Sequence, residues 1–483
     1  MDVLNHLCEK ENRMVGIRSF GAYVPLYRIS YEEIGKAWGG AAGRGERSVA
    51  GQDEDSLTMA VEAAIDCLNE MDRRLVDGLL FASTTSPFLE KQASTTVAVS
   101  IDLDRAVNTM DCTGSLRAGT IALKSAFDAV KAGSNKNVLV TASDCRMGFP
   151  GSVYEQTFGD GAAAFLIGDS DIAVSIEGTH SICDEITDGW RREGDRFVHF
   201  WEDRFNMVEG FQRIVPEAVT GAMEKYGLKA KDFAKFVLYA PNERTYWQTA
   251  EMLGFDLKKQ VQPPLFSSVG NTGAAFPFMQ LVACLETAQK GDRILVASYG
   301  NGSDVFILEV TDGISDVRSR KGLKRYLASK KMLPNYHQFA LIKEFFLMEE
   351  SRMPPIRPPA TVVWRDQKST LRFHGSRCTQ CGHEQIPIHR ICSNCSSKDH
   401  FEEIRFSDRI AKVFTCTVDS LGYGGEPSPF WAIVDFEKAR TRIQIADAEL
   451  REVKIGDSLE MTFRRFPRQN DVPVYSWKSR MIR

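Results

Sequence analysis

Cys112 lies in Asn108-Thr109-Met110-Asp111-Cys112-Thr113-Gly114-Ser115-Leu116, where a strand-like run gives way to small residues and a helical stretch. A cysteine at such a junction is a candidate nucleophile. The small residues let a helix begin close by, with first-turn N–H groups directed at the sulfur. A helix N-terminus carries roughly half a positive charge, which favours thiolate over thiol. The plainer alternative is a small core residue. Four more cysteines form two Cys-x-x-Cys knuckles, Cys378 with Cys381 and Cys392 with Cys395. Four thiolates so spaced can close a tetrahedron around a structural zinc, and Gly382 suits the tight knuckle. Redox pairs or free thiols would not require the double spacing. With four sulfurs present, His374, His383 and His389 are read as neighbouring groups and not as ligands.

The elements that must position Cys112 alternate between apolar strand-like runs and helical stretches, which indicates an α/β layered fold. Strand candidates include residues 78–83, 137–142, 163–168, 236–240, 293–298 and 304–308. An internal repeat runs through them. Cys112-Thr113-Gly114, a helical stretch, Ala132-Gly133 and Val138-Leu139-Val140-Thr141-Ala142-Ser143 form the first copy. Asn271-Thr272-Gly273, a helical stretch, Lys290-Gly291 and Ile294-Leu295-Val296-Ala297-Ser298 form the second. Each copy continues into a Gly-rich hairpin, Phe158-Gly159-Asp160-Gly161 and Tyr299-Gly300-Asn301-Gly302. In a duplicated domain, Cys112 and Asn271 would each open a central helix, and the two helix starts could face one site.

The chain has 483 residues, 43% hydrophobic and 26% charged, with a net charge of −4. That length predicts two or three domains. The charge gives no reason to expect a nucleic-acid partner. No apolar run reaches the length of a membrane span, and the first residues lack a signal-peptide pattern. Of 11 cysteines, seven are scattered singly. This suits a reducing cytoplasm better than a disulfide framework. Residues 319–351 are charged and helix-prone, and Pro354, Pro355, Pro358 and Pro359 mark a stiff linker. After the cysteine knuckles, residues 404–483 read as short β-runs with turns, which suits an OB-type barrel. Arg464-Arg465-Phe466-Pro467-Arg468 reads as a basic turn on a solvated edge and not as a nucleic-acid groove.

These residues together resemble the thiolase superfamily, most closely hydroxymethylglutaryl-CoA synthases of archaeal and bacterial type and the ketoacyl synthases that start fatty-acid chains. The motifs are Asp111-Cys112-Thr113-Gly114, Phe158-Gly159-Asp160-Gly161-Ala162-Ala163, Gly270-Asn271-Thr272-Gly273-Ala274-Ala275 and Ser298-Tyr299-Gly300-Asn301-Gly302. The resemblance implies a duplicated five-layer αβαβα fold, with halves at 14–170 and 171–350. A linker at 351–370, a zinc ribbon at 371–403 and an OB-fold at 404–483 would follow. It implies a homodimer and an acyl-CoA substrate whose acyl group passes to Cys112 while CoA leaves. By similarity, the Cys112 and Asn301 backbone N–H groups would hold the thioester oxygen, and the Asn271 amide would point at the thioester or enolate oxygen. Asn271 could equally cap its own helix.

Two departures stand out. The family's catalytic histidine falls at Tyr239, in Leu238-Tyr239-Ala240-Pro241-Asn242, and its acid/base glutamate falls at Thr84. A threonine hydroxyl is no general base unassisted, and a tyrosine near pKa 10 is poorly matched to that work at neutral pH. His199 is a candidate base from a loop, with Glu90 and Asp160 weaker candidates. The reading is therefore an acyl-CoA-dependent acyltransferase that makes or breaks a carbon–carbon bond through acyl-Cys112. The alternatives are authentic hydroxymethylglutaryl-CoA synthase, or a non-catalytic scaffold channelling thioesters to a partner thiolase or another acyl-CoA enzyme.

Overall fold

The computed structural model of the protein describes residues 14–40, 43–317, 320–346, 359–419, 429–466 and 473–483. Nine strands of the first part pair into one sheet. They are β1 (Gly16–Tyr23), β2 (Gly78–Ala82), β3 (Asn108–Cys112), β4 (Asn137–Asp144), β5 (Gly161–Gly168), β6 (Val174–Cys183), β7 (Lys235–Leu238), β8 (Arg293–Tyr299) and β9 (Gly302–Val310). Their order is β3-β2-β4-β5-β1-β6-β9-β8-β7. The central strands are apolar on both faces, as in Val138-Leu139-Val140 and Ala162–Ile167, because both faces are covered.

The duplication is visible in the pairing. β2 runs parallel to β4, and β4, β5 and β1 then pair antiparallel in succession. In the second half β7 runs parallel to β8, and β8, β9 and β6 follow in the same antiparallel sequence. Val261 forms a parallel bridge to Phe236 of β7, the place that β3 takes beside β2. The copies join where Gly16 and Ile17 of β1 pair with Ser175 and Val174 of β6.

Four helices matter most for the site: α1 (Ser56–Leu68), α2 (Ala118–Ala132), α3 (Gln212–Tyr226) and α4 (Phe276–Leu285). α1 is closed by an Asp55/Thr58 capping box and is buried along almost its whole length. α2 ends on Gly133 in the left-handed conformation, φ 79°. Near the start of α2, a Cβ at Gly119 would come within 2.8 Å of the Ala274 carbonyl oxygen. Glycine therefore lets the two repeats approach backbone to backbone.

The chain divides into two compact units, the second comprising Ile342–Arg483 with two short earlier segments. In it, Glu384–Gln385, His374–Cys378 and Phe401–Arg405 form a three-stranded antiparallel sheet carrying the cysteine knuckles. Five further strands follow, in the order Ala439–Gln444, Phe430–Phe436, Ala411–Val418, Ser458–Arg465, Tyr475–Met481. Ile445 bridges Ser479, so the sheet's edges meet in a nearly closed small barrel. Met1–Arg13, Arg352–Pro358, Pro467 and Arg468 lie outside the described residues, so the start of the chain and most of the proline stretch are not described. The expected basic turn on a solvated edge is corrected at its start: Arg464 and Arg465 belong to the strand Ser458–Arg465, and Arg464 is buried and paired with Asp447 at 2.6 Å. The remainder of the linker is helical, at Ala360–Arg365 and Gln367–Thr370, with Pro359 at the N-cap. A proline beside a helix start leaves the ladder intact, so the stretch need not stay extended. Among the described residues, no helix is long and apolar enough to cross a membrane.

Candidate active site

Cys112 is half-buried at the end of β3, opposite Ala82 of β2. α2 does not begin at the cysteine. Arg117 is its N-cap and Ala118 its first residue. The intervening turn forms because Gly114 takes φ 81° and Ser115 Oγ accepts the Arg117 N–H at 3.2 Å. The expectation that a helix N-terminus favours thiolate is thereby corrected. Burial first, and then the Asp111 carboxylate beside it, push the Cys112 thiol up to about 11.

What the turn does instead is fasten Cys112 to the second Gly-rich hairpin. Ser115 Oγ donates to the Gly300 carbonyl at 3.0 Å. Arg117 donates to the Gly300 and Asn301 carbonyls at 2.6 and 2.9 Å and pairs with Asp304 at 2.9 Å. Both carboxylate oxygens of Asp304 are engaged, since Thr120 Oγ1 donates to the other at 2.7 Å. Asn301 sits in the left-handed region, φ 51°, and its side chain donates to the Ile186 carbonyl at 2.9 Å. Its own N–H has no hydrogen-bond partner among the described residues. An unengaged N–H on a rigid turn is suited to receiving an oxyanion.

A cavity of about 330 Å³ opens here. Its wall includes Thr84, Gly114, Ser115, Arg146, Asp188 and Asn301. Asn271 and Tyr239 lie buried nearby, with Asn271 Nδ2 donating to Tyr239 Oη at 3.3 Å. Asn271 Oδ1 accepts the Gly273 N–H at 3.0 Å. This side-chain oxygen thus closes a turn onto the first residue of the short element Gly273–Ala275 that precedes α4, whose N-cap is Thr272, while the amide nitrogen donates to the tyrosine. Burial raises the Tyr239 pKa, opposed by the Arg146 guanidinium, so the phenol is a donor and not a base at neutral pH.

Thr84 is no free hydroxyl. Its Oγ1 donates to Asp144 Oδ2 at 2.9 Å. Asp144, wholly buried at the end of β4, also accepts from the Thr84 and Thr85 N–H groups, the Ser83 and Thr85 hydroxyls and the Ala274 N–H, at 2.7–3.1 Å. Gly273 must be glycine beside it: φ is 59°, and a Cβ would meet Asp144 Oδ2 at 2.3 Å and Arg146 Cδ at 2.7 Å. We expect Asp144→Ala to lower stability by about 3 kcal/mol or more, because several buried donors lose one acceptor. A thermal or urea midpoint at unchanged secondary structure measures this.

His199 falls elsewhere. It is absent from the cavity wall, stacks on Trp190 at 4.6 Å and lies 3.6 Å from Asp195. Asp160 is buried, accepts the Ala50 N–H at 2.7 Å and lies 3.7 Å from Arg47, a structural arrangement. Glu90 is exposed. The residues that sequence reasoning missed are Asp144, Arg146, Asp188 and Tyr299. For the first two a signal existed, since charges immediately after a buried strand mark its functional end in α/β sheets. Asp188 sits in a loop without periodicity, where no such signal operates.

Comparisons with known proteins give the family and the fold. Residues 223–308 match the family described as 3-oxoacyl-[acyl-carrier-protein] synthase III C terminal. A hydroxymethylglutaryl-CoA synthase from Methanopyrus kandleri is 34% identical over 342 residues, covering 68% of this chain and 97% of that one. The chain belongs to the hydroxymethylglutaryl-CoA synthase family. One from Archaeoglobus fulgidus is also 34% identical, over 63% of this chain and 91% of its own. Among solved structures, a hydroxymethylglutaryl-CoA synthase complexed with CoA matches with TM-score 0.62 at 18% identity, over 71% of this chain and 94% of that one. A 3-oxoacyl-(acyl carrier protein) synthase III from Pseudomonas aeruginosa matches with TM-score 0.56 at 19% identity, over 62% and 98%. The fold is thiolase-like, and this member of the synthase family is an acyltransferase of that superfamily.

Proposed function

We propose that the protein takes an acyl group from a CoA thioester onto Cys112 and uses that acyl-enzyme to make or break a carbon–carbon bond. The observation that carries this is the fastening of the turn after Cys112 to Gly300 and Asn301, which brings Gly114 and Ser115, two and three residues beyond the candidate nucleophile, onto the same cavity wall as the unengaged Asn301 N–H. The Asn301 N–H, with that of Cys112, would hold the thioester oxygen as it gains charge. One such donor typically lowers the barrier by about 3 kcal/mol. Asn271 and Tyr239 would supply further polarity toward the thioester or enolate. The CoA-bound relative supports a CoA thioester as donor.

Cys378, Cys381, Cys392 and Cys395 would hold a structural zinc. Their sulfurs all lie within 4.8 Å of one another, with two pairs at 3.6 Å. Zn–S bonds of about 2.3 Å in a tetrahedron place sulfurs roughly 3.8 Å apart, so the donor set fits. The described cysteines are all free, which supports a reducing compartment such as the cytoplasm. A homodimer is part of the reading by family likeness, and its mass in solution checks it.

The test is incubation with acetyl-, butyryl- and benzoyl-CoA followed by intact mass and peptide mapping. One acyl adduct on Cys112 is expected with at least one of them. Absence of any adduct would overturn the acyl-enzyme reading and return the chain to a scaffold role. The narrower reading, hydroxymethylglutaryl-CoA synthesis itself, is favoured by relatives of that name covered over 97% of their length. It predicts product from acetyl-CoA plus acetoacetyl-CoA despite Thr84 and Tyr239.

A further inference from the structure

With Thr84 and Tyr239 where the resemblance implies a glutamate and a histidine, carbon–carbon chemistry at this cavity needs another proton-transfer group. The carboxylates around it can be sorted by what already engages them. Asp144 accepts six hydrogen bonds and holds the Thr84 loop against the Gly273–Ala275 turn. Asp184 is paired with Arg213 at 2.7 Å. Asp203 accepts from the Tyr154 hydroxyl at 3.1 Å. Glu185 reaches the cavity wall but is exposed to solvent, where its proton exchanges with water and not selectively with a substrate. Asp188 is the remaining carboxylate on the wall, half-buried and lining the same cavity as Gly114, Ser115 and Asn301, with Tyr299 and the Gly189 backbone as its near partners.

Resting on the acyl-Cys112 reading, we propose that Asp188 is the acid/base residue of the carbon–carbon bond step. Its carboxylate takes a proton from the carbon α to the thioester carbonyl, and the C–H electron pair becomes the enolate. The α-carbon then bonds to the ketone carbon of a 3-oxoacyl thioester, and the C=O π pair becomes an alkoxide. The alkoxide takes the proton that Asp188 holds, so the carboxylate is restored without external acid.

The surroundings suit both halves of that cycle. Arg146 from the loop after β4, Tyr299 from β8, and Asp203, Tyr154 and Tyr239 are the charged or titratable groups that act on Asp188 or are acted on by it. Burial raises the Asp188 pKa first, with Arg146 opposing it, so protonated and ionised forms lie closer in energy than for a surface aspartate. Arg146 is itself buried and held over the Phe158 ring at 4.4 Å. The Tyr299 hydroxyl, buried in the neighbouring strand, has no partner at hydrogen-bond distance. The Asp188 carboxylate is the side chain that acts on it most, so the hydroxyl is placed to donate toward that carboxylate when it is ionised.

The experiment follows deuterium uptake at the acyl α-carbon, with acetyl-CoA and butyryl-CoA as probes in D₂O, alongside acylation of Cys112 by intact mass. The wild-type protein is expected to acylate and to exchange. Asp188→Asn should still acylate at a rate within about fivefold, while exchange falls by about 10²- to 10⁴-fold. Asp188→Glu, which keeps the carboxylate, should recover part of the exchange. Exchange by Asp188→Asn within about fivefold of wild type would overturn the assignment. So would loss of acylation in both variants, because loading Cys112 does not need this proton transfer. Failure of the wild-type protein to acylate with these two probes and with benzoyl-CoA would instead overturn the acyl-enzyme reading on which the assignment stands.

Discussion

Replacing Cys112 with alanine leaves the protein folded, without an acyl adduct, and with turnover lowered by at least about 10⁴-fold. Two neighbouring groups are held in other roles. Cys145 is on a different strand end, where its N–H is held by Thr85 Oγ1 at 3.0 Å, and Ser115 is committed to Gly300. Stability should change little, since Cys112 is half-buried at the end of an edge strand and alanine suits that site. The pH dependence of the wild-type reaction distinguishes a nucleophile from a bystander. With the thiol pushed up to about 11, the thiolate is a small minority at neutral pH. Its acylation or alkylation rate should then rise about tenfold per pH unit through the neutral and mildly alkaline range. Asp111→Asn removes the nearest negative charge and should raise the rate at a fixed pH. It should also weaken the helix Ala93–Ser100, because both Asp111 oxygens accept that helix's first N–H groups, from Ala93 and Ser94, at 2.7 and 2.8 Å. A rate independent of pH together with an adduct that persists in Cys112→Ala would remove Cys112 from the mechanism.

Removing the metal from the four-cysteine cluster is expected to unfold the three-stranded sheet that carries it. Cys378 ends the strand His374–Cys378, Cys392 is buried outside the strands, and Cys381 and Cys395 are exposed on turns. A sheet this small lacks the buried area to hold its shape alone, and zinc binding in comparable small modules contributes about 10–16 kcal/mol at neutral pH. Cys392→Ser should release one equivalent of zinc per chain, measured by elemental analysis. Hydrogen exchange should show lost protection across residues 374–405, while β4, β5 and β8 keep theirs. Full protection of residues 374–405 in a metal-free sample would show that the cluster is not a structural zinc site.

Sequence patterns carried much of the fold because the duplicated segments keep the same apolar runs, glycine hairpins and helix ends. Those features are local, so spacing alone reveals them. The Cys112 helix start was misplaced for an equally local reason: Gly114 and Ser115 form a turn, and Arg117 serves as N-cap while its side chain reaches Gly300. The Thr113–Arg117 stretch has no residue that forbids a helix. Its turn is settled by partners on the other repeat. The same limit applies to Asp144 and Asp188, whose meaning depends on which distant groups converge on them. Thr84 and Tyr239 were legible as departures only by family likeness. Their actual partners, Asp144 for Thr84 and Asn271 for Tyr239, required three dimensions.

The Asp144 carboxylate takes five of its hydrogen bonds from Ser83–Thr85 and the sixth from Ala274 in the other repeat. The two copies are therefore not modules that could be separated, swapped or permuted at will. A chain carrying only the first repeat would lack the Ala274 donor and the turn that covers this charge. A chain carrying only the second would leave that N–H buried with no acceptor. Through this one shared buried carboxylate, a substitution in either copy is felt by the other, which ties together two otherwise similar halves.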